Sequence, residues 1–245
     1  LTCPQPVAMR DGAMLSTLAG RKAAIVTFLD GMGVKRPSAS HCLAVGEALA
    51  RLHAAGADFD GKRVNALSVA GWRPLFEQAG RRADEVLPDL YAMTADVLAT
   101  LEKDWPADLP SGVIHADLFP DNVFFIGQRL SGLIDFYFAC NDFWAYDLAI
   151  CLNAWCFELD GSYNLTKGQA MLAGYQSQRP LQQAEKEALP LLCRGAALRF
   201  MLTRLVDWLN VPPGALVRPK DPLEYFRKLR FHLRAETARD YGLDG

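Results

Sequence analysis

The sequence lacks the compositional biases that mark a specialised partner or location. Lys and Arg together number 26 against 28 Asp and Glu, for a formal net charge of -2. There is thus no basic excess of the kind that neutralises a nucleic-acid backbone, and nucleic acid is excluded as an expected partner. No apolar run approaches the length of a membrane span, so no membrane association is expected. The opening LTCPQPVAMRDG has neither the basic start, the apolar core nor the small-residue cleavage site of a secretory signal. The six cysteines form no CxxC pair and no dense spacing, which argues against a disulfide framework and for reduced, packed thiols in a cytoplasmic protein. No His/Cys spacing suggests zinc. Internal repeats and low-complexity tracts are absent. Also missing is an initiator Met: Leu1 opens directly into strand-like sequence, and the first part of a longer protein is expected to be absent.

What is present is ordinary globular material, 245 residues with 51% hydrophobic and 22% charged, enough for one large domain or two small ones. From residue 6 to 29, short apolar runs alternate with turn pairs such as Asp11-Gly12 and Gly20-Arg21, the pattern of an antiparallel meander. Asp30-Gly31-Met32-Gly33 breaks it. Ser38 or Ser40 then caps a helix in which Cys42, Val45, Leu49 and Leu52 recur at helical spacing and Gly56 ends the run. Residues 57–71 read as loop, 72–79 as a short helix, and 84–105 as an amphipathic helix that tolerates Pro88 near its start. Three short strands are predicted at 113–114, 123–126 and 130–134, with only helices after Phe143. Those helices are expected over 144–158, 166–177, 183–189, 191–209 and 223–236, with 211–222 as the loop before the last. The shift from strand to helix near residues 30–37 suggests a β piece over 1–33 and a mainly helical piece over 34–245.

The chemistry gathers in GVIHADLFPDNVFF and the LIDF that follows. His115-Ala116-Asp117-Leu118-x-x-x-Asn122 has the form of a kinase catalytic loop, in which the Asp takes the proton of the acceptor hydroxyl and the Asn holds a magnesium ion. Asp135 stands where the metal-binding Asp of a D-F-G segment stands. Hard Mg²⁺ takes oxygen ligands and retains several waters, so one carboxylate (Asp135), one amide oxygen (Asn122) and nucleotide phosphates suffice for it. Either segment alone would also suit a polar turn or a strand-end cap. Both together, flanked by strands and followed by helices, favour phosphoryl transfer.

Longer strings narrow this. GVIHADLFPDNVFF, LIDFYFACNDFWAYDLAICLNAWCFE, ALRFMLTRLVDWL and NALSVAGW resemble the bacterial homoserine kinases of the aminoglycoside phosphotransferase and choline kinase superfamily, from Leu1 to about His232. The resemblance implies an α+β, protein-kinase-like fold with a partial antiparallel β small lobe and a mainly helical large lobe. It further implies ATP and Mg²⁺ as cofactors and L-homoserine as the small-molecule substrate, in threonine biosynthesis. Carried over by position, Asp117 resembles the catalytic base, Asn122 and Asp135 the metal ligands, and Asp147 the helix Asp that supports the catalytic loop. His115, like His53, is read as scaffold. Backbone groups near Phe28 and Leu29 are expected at the adenine edge, with Phe124 and Ile134 on its face. For the acceptor the candidates are Tyr137, Asn141 and Asp142, with Arg199 and Arg204 as the cations a carboxylate needs. Choline or aminoglycoside kinase activity and a non-catalytic nucleotide-binding scaffold remain as alternatives, and oligomeric state is open. The family also carries a glycine-rich loop and a phosphate-binding Lys before the meander. Neither occurs in this sequence, and Lys22, read as lying in a turn, comes too late for that role. The 245-residue chain by itself is accordingly expected to bind ATP poorly.

Overall fold

Ala19 and Gly20, both with positive φ (50° and 78°), make the tight turn that joins strands β1 (Ser16–Leu18) and β2 (Arg21–Ala23). The computed structural model describes residues 1–212, 214–216 and 218–243. Lys22 lies in β2 opposite Thr17 rather than in a turn, because the reversal is completed at Gly20. Outside the hairpin the meander is reduced to one stretch of antiparallel pairing, with the Val7 amide donating to Ile25 O at 2.8 Å and the Thr27 amide to Gln5 O at 2.9 Å.

Helix α1 (Ala39–Ala55) starts at Ser38. The Ser38 amide donates to His41 Nδ1 at 3.1 Å while the Ser38 hydroxyl accepts from the His41 amide at 3.4 Å, a reciprocal cap. Helix α2 (Val69–Ala79) follows. The helix expected over 84–105 is shorter than the apolar spacing suggested: a 3-10 turn ends at Glu85, Asp89 is left-handed (φ 63°), and α3 runs Leu90–Asp104. Pro88 accounts for this, since proline disfavours helical backbone in the residue before it and cannot donate into a helical turn.

Strand β3 (Ser111–Ile114) leads into the catalytic loop, β4 (Val123–Ile126) and β5 (Arg129–Leu133) form the next hairpin, and β6 (Cys140–Phe143) pairs antiparallel with β3. Val64 adds a parallel bridge to Asn141 on the far edge of β6. The hairpin is tied to the N-terminal part by Met32 and Phe125, whose backbones exchange hydrogen bonds of 3.0 and 3.2 Å.

Helices α4 (Trp144–Trp155), α5 (Leu165–Gln178), α6 (Gln183–Leu209) and α7 (Pro222–His232) complete the fold. α6 runs unbroken through Pro190, where a break was expected; Pro190 is buried, and packing along the helix outweighs the loss of one backbone bond. α1 and α5 cross at Gly46 and Gly174, where a Cβ would collide with the Met171 and Leu43 carbonyls respectively. This close crossing brings Tyr175 beside His53. Five of the six cysteines are buried and all are free thiols. No helix among the described residues is long and apolar enough to cross a membrane.

Candidate active site

The catalytic loop leaves β3 at His115 in a conformation that needs external support. Ala116 has φ 64°, left-handed and uncommon for a residue with a side chain. Its amide donates to Asp147 Oδ1 at 2.8 Å, and its carbonyl accepts from Arg199 Nη1 at 2.6 Å. Asp147, in the first turn of α4 and fully buried, also accepts from the His115 amide (2.8 Å) and from His53 Nε2 (3.0 Å) through Oδ2. Burial would raise its carboxyl; the bond from His53 and that from the His115 amide hold it below the usual carboxylate range. His115 is buried too. Its Nε2 bonds to Ile134 O at 3.0 Å and its Nδ1 accepts from the Asp117 amide at 3.3 Å, so the ring bridges the two motifs, and burial pushes its pKa down against the pull of Asp147. Trp155 Nε1 fixes the other side of the loop, donating to Leu118 O at 2.7 Å.

On this frame Asp117 is half-buried and Asn122 buried. Asn122 Nδ2 donates to Asp117 O at 2.8 Å and approaches Asp117 Oδ2 at 3.5 Å, and the Ile134 amide donates to Asn122 O at 3.0 Å. These bonds spend the side-chain amide nitrogen and leave its oxygen uncommitted. They also bring the end of β5, and with it Asp135, to the same place. Asp135 is exposed and left-handed (φ 64°), a strained conformation of the kind found at ligand sites. Burial pushes the Asp117 carboxyl up to about 6; Arg199 and Lys220 draw it down, while Asp135 and Asp121 push it further up. The exposed Asp135 carboxylate beside the uncommitted Asn122 amide oxygen is a donor set suited to a hard divalent cation. No group of three His, Cys, Asp or Glu side chains positioned to hold a metal occurs among the described residues. The set fits an ion that draws its remaining ligands from phosphate and water.

The other sequence-predicted positions fall around this centre. The backbones of Phe28 and Leu29 make no hydrogen bonds among the described residues. Leu29 packs over Gly132, which lies opposite Phe124 in the β4/β5 hairpin, and Phe124 and Ile134 are half-buried. The Phe28 side chain stands apart, 89% exposed. Tyr137 is exposed. Asn141 Oδ1 accepts from the Arg63 amide (2.8 Å) and Asp142 Oδ2 from Asn65 Nδ2 (2.7 Å). The two arginines expected at the acceptor have partners within the chain. Arg199 is 1% exposed and sits under the loop on the Ala116 carbonyl. Arg204 is drawn to α7, where Nη1 donates to Glu224 Oε2 at 2.6 Å.

Sequence reasoning passed over Arg63 and Asn65. Arg63 Nη1 donates to Tyr137 O (2.6 Å) and Ala139 O (3.3 Å), clamping the turn after Asp135. They lie in a stretch without periodicity, and the only sequence signal was that Asn65 opens NALSVAGW.

Comparison with known proteins supplies the family and the fold. The profile of APH, the phosphotransferase enzyme family, matches residues 1–181. A solved structure of amicoumacin kinase hAmiN, in complex with AMP-PNP, Ca²⁺ and Ami, superposes with a TM-score of 0.67 at 14% identity, covering 97% of this chain and 74% of that one, a likeness of fold. The fold is that of a kinase-like phosphotransferase. The chain is 69% identical over 99% of its length to the homoserine kinase of Azorhizobium caulinodans, covering 76% of that protein. It is 70% identical over 99% of its length to that of Methylobacterium sp. (strain 4-46), covering 75%. It belongs to the homoserine kinases of the phosphotransferase enzyme family.

Proposed function

We propose that this protein transfers the γ-phosphate of ATP to the side-chain hydroxyl of L-homoserine in the cytoplasm, with Asp117 as the base and Mg²⁺ held by Asn122 and Asp135. The observation that carries the reading is the shared turn. Asn122 is bonded to Asp117 on one side and to the strand of Asp135 on the other, so base and metal ligands form one rigid unit. Magnesium, when bound with the nucleotide, neutralises charge on the transferred phosphoryl group. Asp117 orients the hydroxyl and accepts its proton as the oxygen–phosphorus bond forms. A carboxyl raised to about 6 is a stronger acceptor than an ordinary aspartate and is still ionised at neutral pH. The free backbone groups of Phe28 and Leu29 take the adenine edge, with Phe124 and Ile134 against its face. Tyr137, Asn141 and Asp142 border the acceptor, with the turn before them held by Arg63.

A coupled ADP-release assay on the full-length protein with homoserine, choline, methylthioribose and an aminoglycoside tests this. Homoserine is expected to give the highest kcat/KM. Preference for another acceptor would remove the substrate and leave the kinase, whereas no ADP with any of them would remove both.

A further inference from the structure

Homoserine offers a carboxylate and an ammonium besides the reacting hydroxyl, so a site that selects it needs a cation within reach of Asp117. Arg199 and Arg204 do not serve, because the first is buried on the Ala116 carbonyl and the second is paired with Glu224. Lys220 is placed differently. It lies in the connection between α6 and α7, and its side chain is 64% exposed. Its Nζ stands 5.6 Å from the Phe119 ring and 4.0 Å from Asp121 Oδ2, so it overhangs the turn that links Asp117 to Asn122.

At 4.0 Å the contact with Asp121 is well beyond the ~2.7–2.9 Å of a charge-assisted hydrogen bond. Exposed pairs of this kind contribute little stability, so the ammonium is readily exchanged to another anion.

We propose that Lys220 is a specificity-determining residue, whose ammonium receives the carboxylate of the acceptor amino acid while the side-chain hydroxyl lies at Asp117. The inference rests on the homoserine reading above. It also supplies a means of rejection. A cationic alcohol without a carboxylate, such as choline, would leave Lys220 unmatched and meet its charge repulsively.

Steady-state kinetics of Lys220→Met and Lys220→Arg in the full-length protein, in low and high NaCl, provide the test. Lys220→Met is expected to raise KM for homoserine about tenfold, the loss of one charge-assisted hydrogen bond at an exposed site. Wild-type KM should rise with salt, because the exposed contact is screened; the Met variant should show a flatter dependence and the Arg variant should retain it. Competition by 3-aminopropan-1-ol, which keeps the hydroxyl and ammonium but has no carboxylate, should respond to Lys220→Met far less than homoserine does. An unchanged KM for homoserine, a rise confined to KM for ATP, or equal weakening of homoserine and 3-aminopropan-1-ol would overturn the assignment. Wild-type enzyme that releases no ADP with homoserine would instead overturn the reading on which it rests, and Lys220 with it.

Discussion

His53 Nε2 lies 3.0 Å from Asp147 Oδ2, and both side chains are fully buried. The contact ends a chain of polar groups that starts at the half-buried Arg179: Arg179 bonds both Glu185 oxygens at 2.9 and 3.0 Å and Tyr175 Oη at 3.3 Å, and Tyr175 Oη lies 2.8 Å from His53 Nδ1. The catalytic loop is therefore supported from α5 and the start of α6. Replacing His53 by Leu leaves the buried Asp147 carboxylate short of one donor, which should cost about 3 kcal/mol. Urea unfolding of the variant measures it, and a loss below about 0.5 kcal/mol would show the bond to be unimportant.

Asp117→Asn should lower kcat by roughly 10²- to 10⁴-fold while leaving the fold intact, since the amide cannot take the hydroxyl's proton. The same variant should bind nucleotide as the wild type does, because the proposed metal ligands are Asn122 and Asp135. Asp135→Ala should instead abolish turnover and weaken the magnesium-dependent part of ATP binding. Calorimetric titration with ATP, with and without Mg²⁺, separates the two. A near-normal rate in either variant contradicts the assigned roles.

The catalytic loop was legible because its chemistry is contiguous: His115, Asp117 and Asn122 fall within eight residues of one another in the sequence, and the backbone turn that joins them is local. What supports the loop was not. Arg199 reads as a helix-face cation until α6 is seen to pass beneath Ala116, which no spacing in α6 encodes. β6 was missed for a related reason. Cys140-Asn141-Asp142-Phe143 has no clear alternation, and it becomes a strand because β3 and residue 64 flank it. The path of α6 through Pro190 is likewise a tertiary outcome, with packing outweighing local propensity.

Gly46→Ala should destabilise the chain more than its one added methyl suggests. The new Cβ would run into the Met171 carbonyl and approach Tyr175 N at 2.8 Å. Backbone atoms cannot rotate aside, so α1 and α5 must separate, at a cost of about 2–3 kcal/mol. Separation also draws Tyr175 from His53, so kcat should fall along with the melting temperature. A variant that melts like the wild type would show that the helices do not cross this closely.

Acid sensitivity should have a specific source in His232. The ring is fully buried, with Nε2 2.9 Å from Asn153 Oδ1 and Nδ1 3.0 Å from Tyr241 Oη. Asn153 Nδ2 is already spent on the Ala149 and Cys193 carbonyls, so Oδ1 must accept from Nε2–H, and the Tyr241 hydroxyl then donates to Nδ1. Every site on the neutral ring is satisfied. Burial, with Lys228 and Arg194 nearby, depresses its pKa from 6.5 to about 3. Between those values the unfolded chain binds a proton that the folded chain does not, so stability is full above about pH 6.5 and falls as the pH drops toward 3. The slope from this one group is about 1.4 kcal/mol per pH unit. Urea unfolding of wild type and His232→Gln from pH 7 to 4 isolates it: the variant, whatever its stability at neutral pH, should lose stability less steeply with acid. Parallel curves would mean that His232 is protonated in the folded protein, with Nδ1–H donating to the Tyr241 hydroxyl instead of accepting from it.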